Sequence, residues 1–168
     1  MMRPALLVLA FATALPACRA DSPARAAIRS VGAGLNPPLP PPDTIPELLD
    51  YDADLGVNIT EMAKLPTGVL YQDIIVGRGQ VATPSDSVEI AFQGWLPDGS
   101  KVDSGTVALR LGSGTIMQGI EGAIPGMKAG GRRKLVIPPG LAFGGDGTDA
   151  IPPNAVVVYD LELRTIVP

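Results

Sequence analysis

Histidine is absent from this chain, cysteine and tryptophan occur once each, and aromatic residues make up only 4% of the 168 positions. Without histidine there is no Ser-His-Asp or Cys-His relay and no imidazole to ligate a metal. A lone cysteine, Cys18, excludes an intramolecular disulfide and any Cys-x-x-Cys site. Positive charge is also short: 13 lysines and arginines stand against 17 aspartates and glutamates, a net charge of −4. General nucleic-acid binding leans on the opposite balance. What remains is carboxylate chemistry, backbone hydrogen bonding and apolar shape, none of which calls for a cofactor or a metal. The length suits one ordinary domain with one real core.

The run from Pro4 to Ala17, after Arg3, is almost wholly apolar. It is shorter than the roughly 20 residues a bilayer-spanning helix needs and suits a signal-peptide core. It ends in Leu15-Pro16-Ala17-Cys18, similar to a bacterial lipoprotein cleavage box, although Pro16 replaces the usual small residue. Residues 1–18 therefore read as a signal peptide with a lipobox-like end. Cys18 would be the lipidated first residue of a protein anchored in the cell envelope. The alternative is secretory cleavage near Ala24-Arg25-Ala26, which discards Cys18. Residues 19–46, containing Asn36-Pro-Pro-Leu-Pro-Pro-Pro42, read as a proline-rich spacer, extended at about 3.1 Å per residue. Residues 47–65 are acidic at the start and mildly amphipathic, a segment that either docks on the domain or stays mobile.

A folded domain is expected over residues 66–168. Val69 to Val76 reads as a strand, and Val88, Ile90 and Phe92 alternate with polar or small neighbours on another. Pro97-Asp98-Gly99 is a hairpin turn, leading into Lys101 to Asp103. Val107, Leu109 and Leu111 alternate in a further strand. Ile116, Ile120, Ala123 and Ile124 fall on one face of a short helix. Leu135 and Ile137 share a strand face, as do Val157, Tyr159, Leu161 and Leu163. Arg132-Arg133-Lys134 reads as a solvated strand entrance, and Gly144 to Gly147 as a flexible flap. The sum is an α+β domain: a curved antiparallel sheet of five to six strands wrapped around one short α-helix.

Gly119-Ile-Glu-Gly-Ala-Ile-Pro-Gly-Met-Lys-Ala-Gly-Gly-Arg-Arg-Lys-Leu-Val-Ile-Pro-Pro-Gly-Leu-Ala-Phe-Gly144, then Ile151-Pro-Pro-Asn-Ala-Val-Val-Val-Tyr-Asp-Leu-Glu-Leu163, with Val88 to Ser104 upstream, resemble the FKBP family of peptidyl-prolyl cis–trans isomerases. The resemblance covers roughly residues 66 to 168 and implies the same curved sheet and helix. It also implies a pocket between them, with Asp103 as its carboxylate. Phe92 and Phe143 stand where the family usually has tyrosines, and Val102, Val107 and Leu109 where it usually has aromatics. Ile116 and Met117 match the apolar pair beside the bound substrate, Ile120 the pocket floor, Ile151 the flap, and Tyr159 the aromatic position of the last strand.

X-Pro isomerisation has a barrier of about 18–20 kcal/mol and exchanges over tens to hundreds of seconds unaided. The planar amide is charge-separated and the twisted one is not, so an apolar, water-poor cavity favours the twisted form. The resemblance thus implies a prolyl isomerase acting on X-Pro peptides and unfolded exported proteins in the periplasm, with macrolide-type inhibitors as further ligands. The rival reading is a peptide-binding or chaperone module on the same fold with weak or no catalysis, since Phe92 and Phe143 carry no hydroxyl. The short flap leaves no room for an inserted domain, and the proline-rich spacer forms no dimerising helix, so a monomer is expected.

Overall fold

The computed structural model describes residues 44–167. The signal segment, Cys18 and the spacer as far as residue 43 lie outside the described residues. Six strands, β1 (Ala63–Lys64), β2 (Leu70–Ile75), β3 (Ser87–Trp95), β4 (Lys101–Arg110), β5 (Gly131–Ile137) and β6 (Val157–Val167), form one sheet in the order β1-β2-β5-β6-β3-β4. All neighbours are antiparallel, and the sheet is not closed. The helix, α1 (Gln118–Glu121), packs against it.

Two details differ from the sequence reading. Lys101–Asp103 and the alternating Val107 and Leu109 belong to one ten-residue strand, because β4 follows the hairpin and pairs with β3 along its length. The helix holds only four residues; Ile116 lies before its cap, Met117, and Ala123 and Ile124 lie beyond it. Gly119 weakens the helix by about 1 kcal/mol relative to alanine, and Gly122 caps it. Ile120, Ala123 and Ile124 are nevertheless all buried, so packing holds the shape that propensity does not.

The sheet is covered on both faces. Toward α1, Val88, Ile90, Leu109, Leu135, Ile137, Tyr159, Leu161 and Leu163 form the main core with Ile120, Ile124 and Met127. On the opposite face, Leu70, Val136 and Val158 pack against Leu55 and Met62 from the segment that precedes β1. That segment consists of three single 3₁₀ turns, Pro46–Leu48, Ala53–Leu55 and Ile59–Glu61. Asp52 N donates to Pro97 O at 2.8 Å, stitching it to the β3–β4 turn.

The basic stretch at the start of β5 is not a solvated edge. Arg133 and Lys134 are both buried, and only Arg132 is exposed. Arg133 Nε and Nη2 donate to the two carboxylate oxygens of Asp73, and Nη1 donates to Ala123 O at 2.7 Å. Its guanidinium also lies 4.5 Å from the centre of the Tyr71 ring. Lys134 Nζ donates to Leu55 O and sits 3.0 Å from Asp160 Oδ1. Buried charges need such partners, and these come from distant parts of the chain.

Candidate active site

The helix-facing side of β3 presents Val88, Ile90, Phe92 and Gly94, by the period of two that any strand imposes. Their partners on β4 are Leu109, Val107, Gly105 and Asp103. The register slips between Gly94 and Trp95, which pair with Asp103 and Lys101 and leave Val102 as the extra residue of a bulge. Val102 therefore packs against the same apolar cluster although it directly precedes Asp103. On the other side of β3, Gly94 faces Tyr159 of β6. Asp103, Gly94 and Tyr159 thus form one row across three strands.

Over that glycine the two outer residues meet. Tyr159 Oη donates to Asp103 Oδ2 at 3.1 Å, and the Tyr159 side chain is fully buried. Burial first, and then the Asp103 charge, push the phenol well above its ordinary value of 10.0. Phe92 lies beside it, ring centres 6.2 Å apart and tilted by 50°. The far edge of the Phe92 ring covers Gly105, with Cζ 3.1 Å from where a Cβ would stand.

The remaining candidate residues lie on the approach to α1 and on the flap, packed against the same apolar cluster. Glu121 Oε1 accepts from Gly112 N at 2.9 Å and Gly114 N at 3.2 Å, which anchors the loop leading to Ile116 and Met117. The flap is tied internally: Asn154 N donates to Gly144 O at 2.7 Å and Thr148 N to Ile151 O at 2.8 Å. At Gly147 (φ 63°) a side chain would strike Ile151 O, so only glycine fits that crossing.

Apart from Asp103, the candidate site residues within the described chain all belong to the main apolar cluster or pack against it. Leu109, Ile120, Ile151 and Tyr159 are buried members of the main apolar cluster, and Phe92, Val102, Val107, Ile116, Met117 and Phe143 are partly buried against it. Asp103 is half-buried at its edge. Cys18 lies outside the described residues. Two features escaped the sequence reading: the hydroxyl on Asp103 comes from Tyr159, and Glu121 anchors the loop before Ile116 and Met117. Strand alternation already put Tyr159 on the correct face, but its pairing with Asp103 depends on a register across three strands.

The opposite face differs in chemistry. Two polar depressions open there, of about 460 and 550 Å³, and share Gln93, Arg132 and Asp160 in their linings. Among the described residues no cluster of metal-ligating side chains occurs, and no helix is long and apolar enough to cross a membrane. The helix-facing site offers one carboxylate on an apolar cluster, suited to holding an uncharged, nonpolar group and unsuited to nucleophilic attack.

Residues 79–164 match the model of the family described as FKBP-type peptidyl-prolyl cis-trans isomerase. Over 107 residues the chain is 39% identical to the FKBP-type peptidyl-prolyl cis-trans isomerase FkpA of Escherichia coli K12, covering 61% of this chain and 39% of that protein. The chain therefore spans well under half of that relative's length. It is 33% identical to an FK506-binding protein of Neisseria meningitidis serogroup B, over 59% of this chain and 96% of that protein. Among solved structures, FkpA from Escherichia coli superposes with a TM-score of 0.61 at 29% identity, covering 86% of this chain and 65% of that one. AtFKBP13 superposes with a TM-score of 0.59 at 30% identity, covering 64% of this chain and 99% of that one. By sequence and by fold, the chain belongs to the FKBP-type peptidyl-prolyl cis–trans isomerase family.

Proposed function

We propose that the protein is a peptidyl-prolyl cis–trans isomerase that assists the folding of exported proteins by stabilising the twisted X-Pro amide in the apolar site beside Asp103. The observation that carries this reading is a single carboxylate held at the edge of an apolar cluster in a chain of this family. A prolyl ring and its preceding amide lose little by leaving water for such a surface, and the twisted amide, having lost its charge separation, loses least. Interactions that favour the twisted state over the planar one raise the rate tenfold for each 1.36 kcal/mol or so. Asp103 supplies the oriented negative charge; Phe92, Val107 and Phe143 form apolar walls, with Ile116 and Met117 lining the substrate's path. Tyr159, Ile120 and Ile151 lie beneath. Macrolide-type inhibitors would compete for the same surface.

The reading extends to location. A leader ending at Cys18 supports an envelope protein, periplasmic, monomeric and held to the membrane by lipid on that cysteine. Mass spectrometry of membrane-extracted protein tests it: a diacylglyceryl adduct on Cys18 supports the anchor, and an N-terminus beyond Cys18 refutes it.

A second reading is favoured by Phe92 and Phe143, which bring no hydroxyl to the site: a peptide-binding module with little catalysis. Exchange NMR on short X-Pro peptides separates the two. Acceleration by the protein that falls in Asp103→Ala supports the isomerase. Peptide-induced shifts at Phe92, Ile116 and Phe143 without acceleration support the binding module. Neither effect would remove both.

A further inference from the structure

Tyr159 carries a hydroxyl that a substrate cannot reach, since the side chain is fully buried, and that hydroxyl has one acceptor, Asp103. We infer that Tyr159 is the positioning residue of this site: its hydroxyl fixes the direction of the Asp103 carboxylate without contacting substrate. The inference rests on the isomerase reading for its kinetic consequence and on geometry alone for the contact.

Asp103 has little else to hold it. Among the described residues, no other side chain donates to its carboxylate and no cation pairs with it. Its backbone follows the Val102 bulge, and β4 is an edge strand, hydrogen-bonded only to β3. The Phe92 ring, packed beside Tyr159, offers it nothing polar. A free aspartate here would swing toward water, because a charged group gains more from hydration than from an apolar wall. The hydroxyl opposes that swing. Tyr159 can do so because its own ring is clamped in the core beside Phe92 and because Gly94, between the two strands, leaves the path open. Substrate would then meet a carboxylate already aimed, a form of preorganisation that costs no rearrangement during the twist.

The test pairs kinetics with a direct view of Asp103. In Tyr159→Phe, kcat should fall about tenfold, the worth of one hydrogen bond to a charged group, with KM within about twofold. In an Asp103→Ala background the same change should have no further effect. The Tyr159 hydroxyl proton, visible by NMR when buried and bonded, should vanish in Asp103→Ala. The Asp103 Hα–Hβ couplings should pass from one rotamer to an average in Tyr159→Phe. A raised KM with unchanged kcat would make Tyr159 a substrate wall instead. Losses that add in the double variant would make it merely structural, as would losses that follow only the fall in melting temperature. Any of these three outcomes overturns the inference. Should the unaltered protein show no acceleration, the isomerase reading fails, and the Asp103 couplings alone decide: averaging in Tyr159→Phe upholds the positioning contact, and an unchanged rotamer refutes it.

Discussion

The ring of Tyr159 lies directly on Gly94: a Cβ at that position would stand 2.5 Å from Tyr159 Cζ and 2.7 Å from Cε1. No real contact is that short, and a buried tyrosine wedged in the main core has nowhere to retreat. The missing side chain of Gly94 is what lets a residue of β6 reach one of β4 across the strand between them.

Gly94→Ala should therefore act on the site as well as on the fold. Overpacking of this kind typically costs about 1–3 kcal/mol, read as a lower denaturant midpoint. The displaced ring should also release Asp103, so that isomerase activity falls further than the unfolded fraction explains.

Alkaline pH should destabilise the protein through two tyrosines. Burial first, then the carboxylates of Glu47 and Asp103, hold the phenols of Tyr51 and Tyr159 above 10.0. The folded state keeps these protons where the unfolded chain has lost them. The associated stability is complete below the unfolded pKa and is lost as pH rises toward the folded one, with a slope of about 1.4 kcal/mol per pH unit for each tyrosine. Denaturant midpoints taken from about pH 9 to about pH 11 should fall, and Tyr51→Phe or Tyr159→Phe should each flatten the decline.

Glu121→Ala should loosen one wall while sparing the core. Its carboxylate is exposed on the loop side and serves Gly112 and Gly114, so the expected stability loss is about 1 kcal/mol. The sharper signature is hydrogen exchange: the Gly112 and Gly114 amides should lose protection. KM for X-Pro peptides should rise as Ile116 and Met117 lose their fixed approach.

Arg133→Lys should not behave as a conservative change. The guanidinium serves Asp73 and Ala123 O together and stacks on Tyr71, a fork that a lysine ammonium cannot reproduce. Because Asp73 is exposed while Arg133 is buried, the loss should be about 1.5–3 kcal/mol, the scale of hydrogen bonds to a charged group, measured by thermal or denaturant unfolding.

Leu55→Ala tests the cover on the far face. Leu55 is 6% exposed against Leu70, Val136 and Val158, so truncation should cost about 2–4 kcal/mol. Trp95, the only tryptophan, packs against the same cluster, so its emission should shift to the red as that cover loosens.

What the sequence made legible followed from short-range rules. Alternation identified β3 and β6 because the pleat repeats every two residues, and Pro97-Asp98-Gly99 marked a turn because Gly99 takes φ 87° without strain. Asp103 was found through its motif. The helix was overread because burial of Ile120 and Ile124 mimics helical spacing even where Gly122 and Pro125 stop the helix. Arg133 and Lys134 looked like surface residues because their partners, Asp73, Ala123, Leu55 and Asp160, arrive from four other segments. The Tyr159–Asp103 contact stayed hidden for the same reason: 56 positions separate them, and only strand order brings them together.

The strand order β1-β2-β5-β6-β3-β4 puts the sixth strand in sequence at the middle of the sheet. Until it is made, β2 with β5 and β3 with β4 are two disconnected pieces, and neither the main core nor the far-face core can close. Val157–Val167 is also the last strand along the chain, so the element that joins both pieces is the last one synthesised. Export in an unfolded state, which the proposed envelope location would require, is compatible with that order, because the strand that closes both cores is the last to be made.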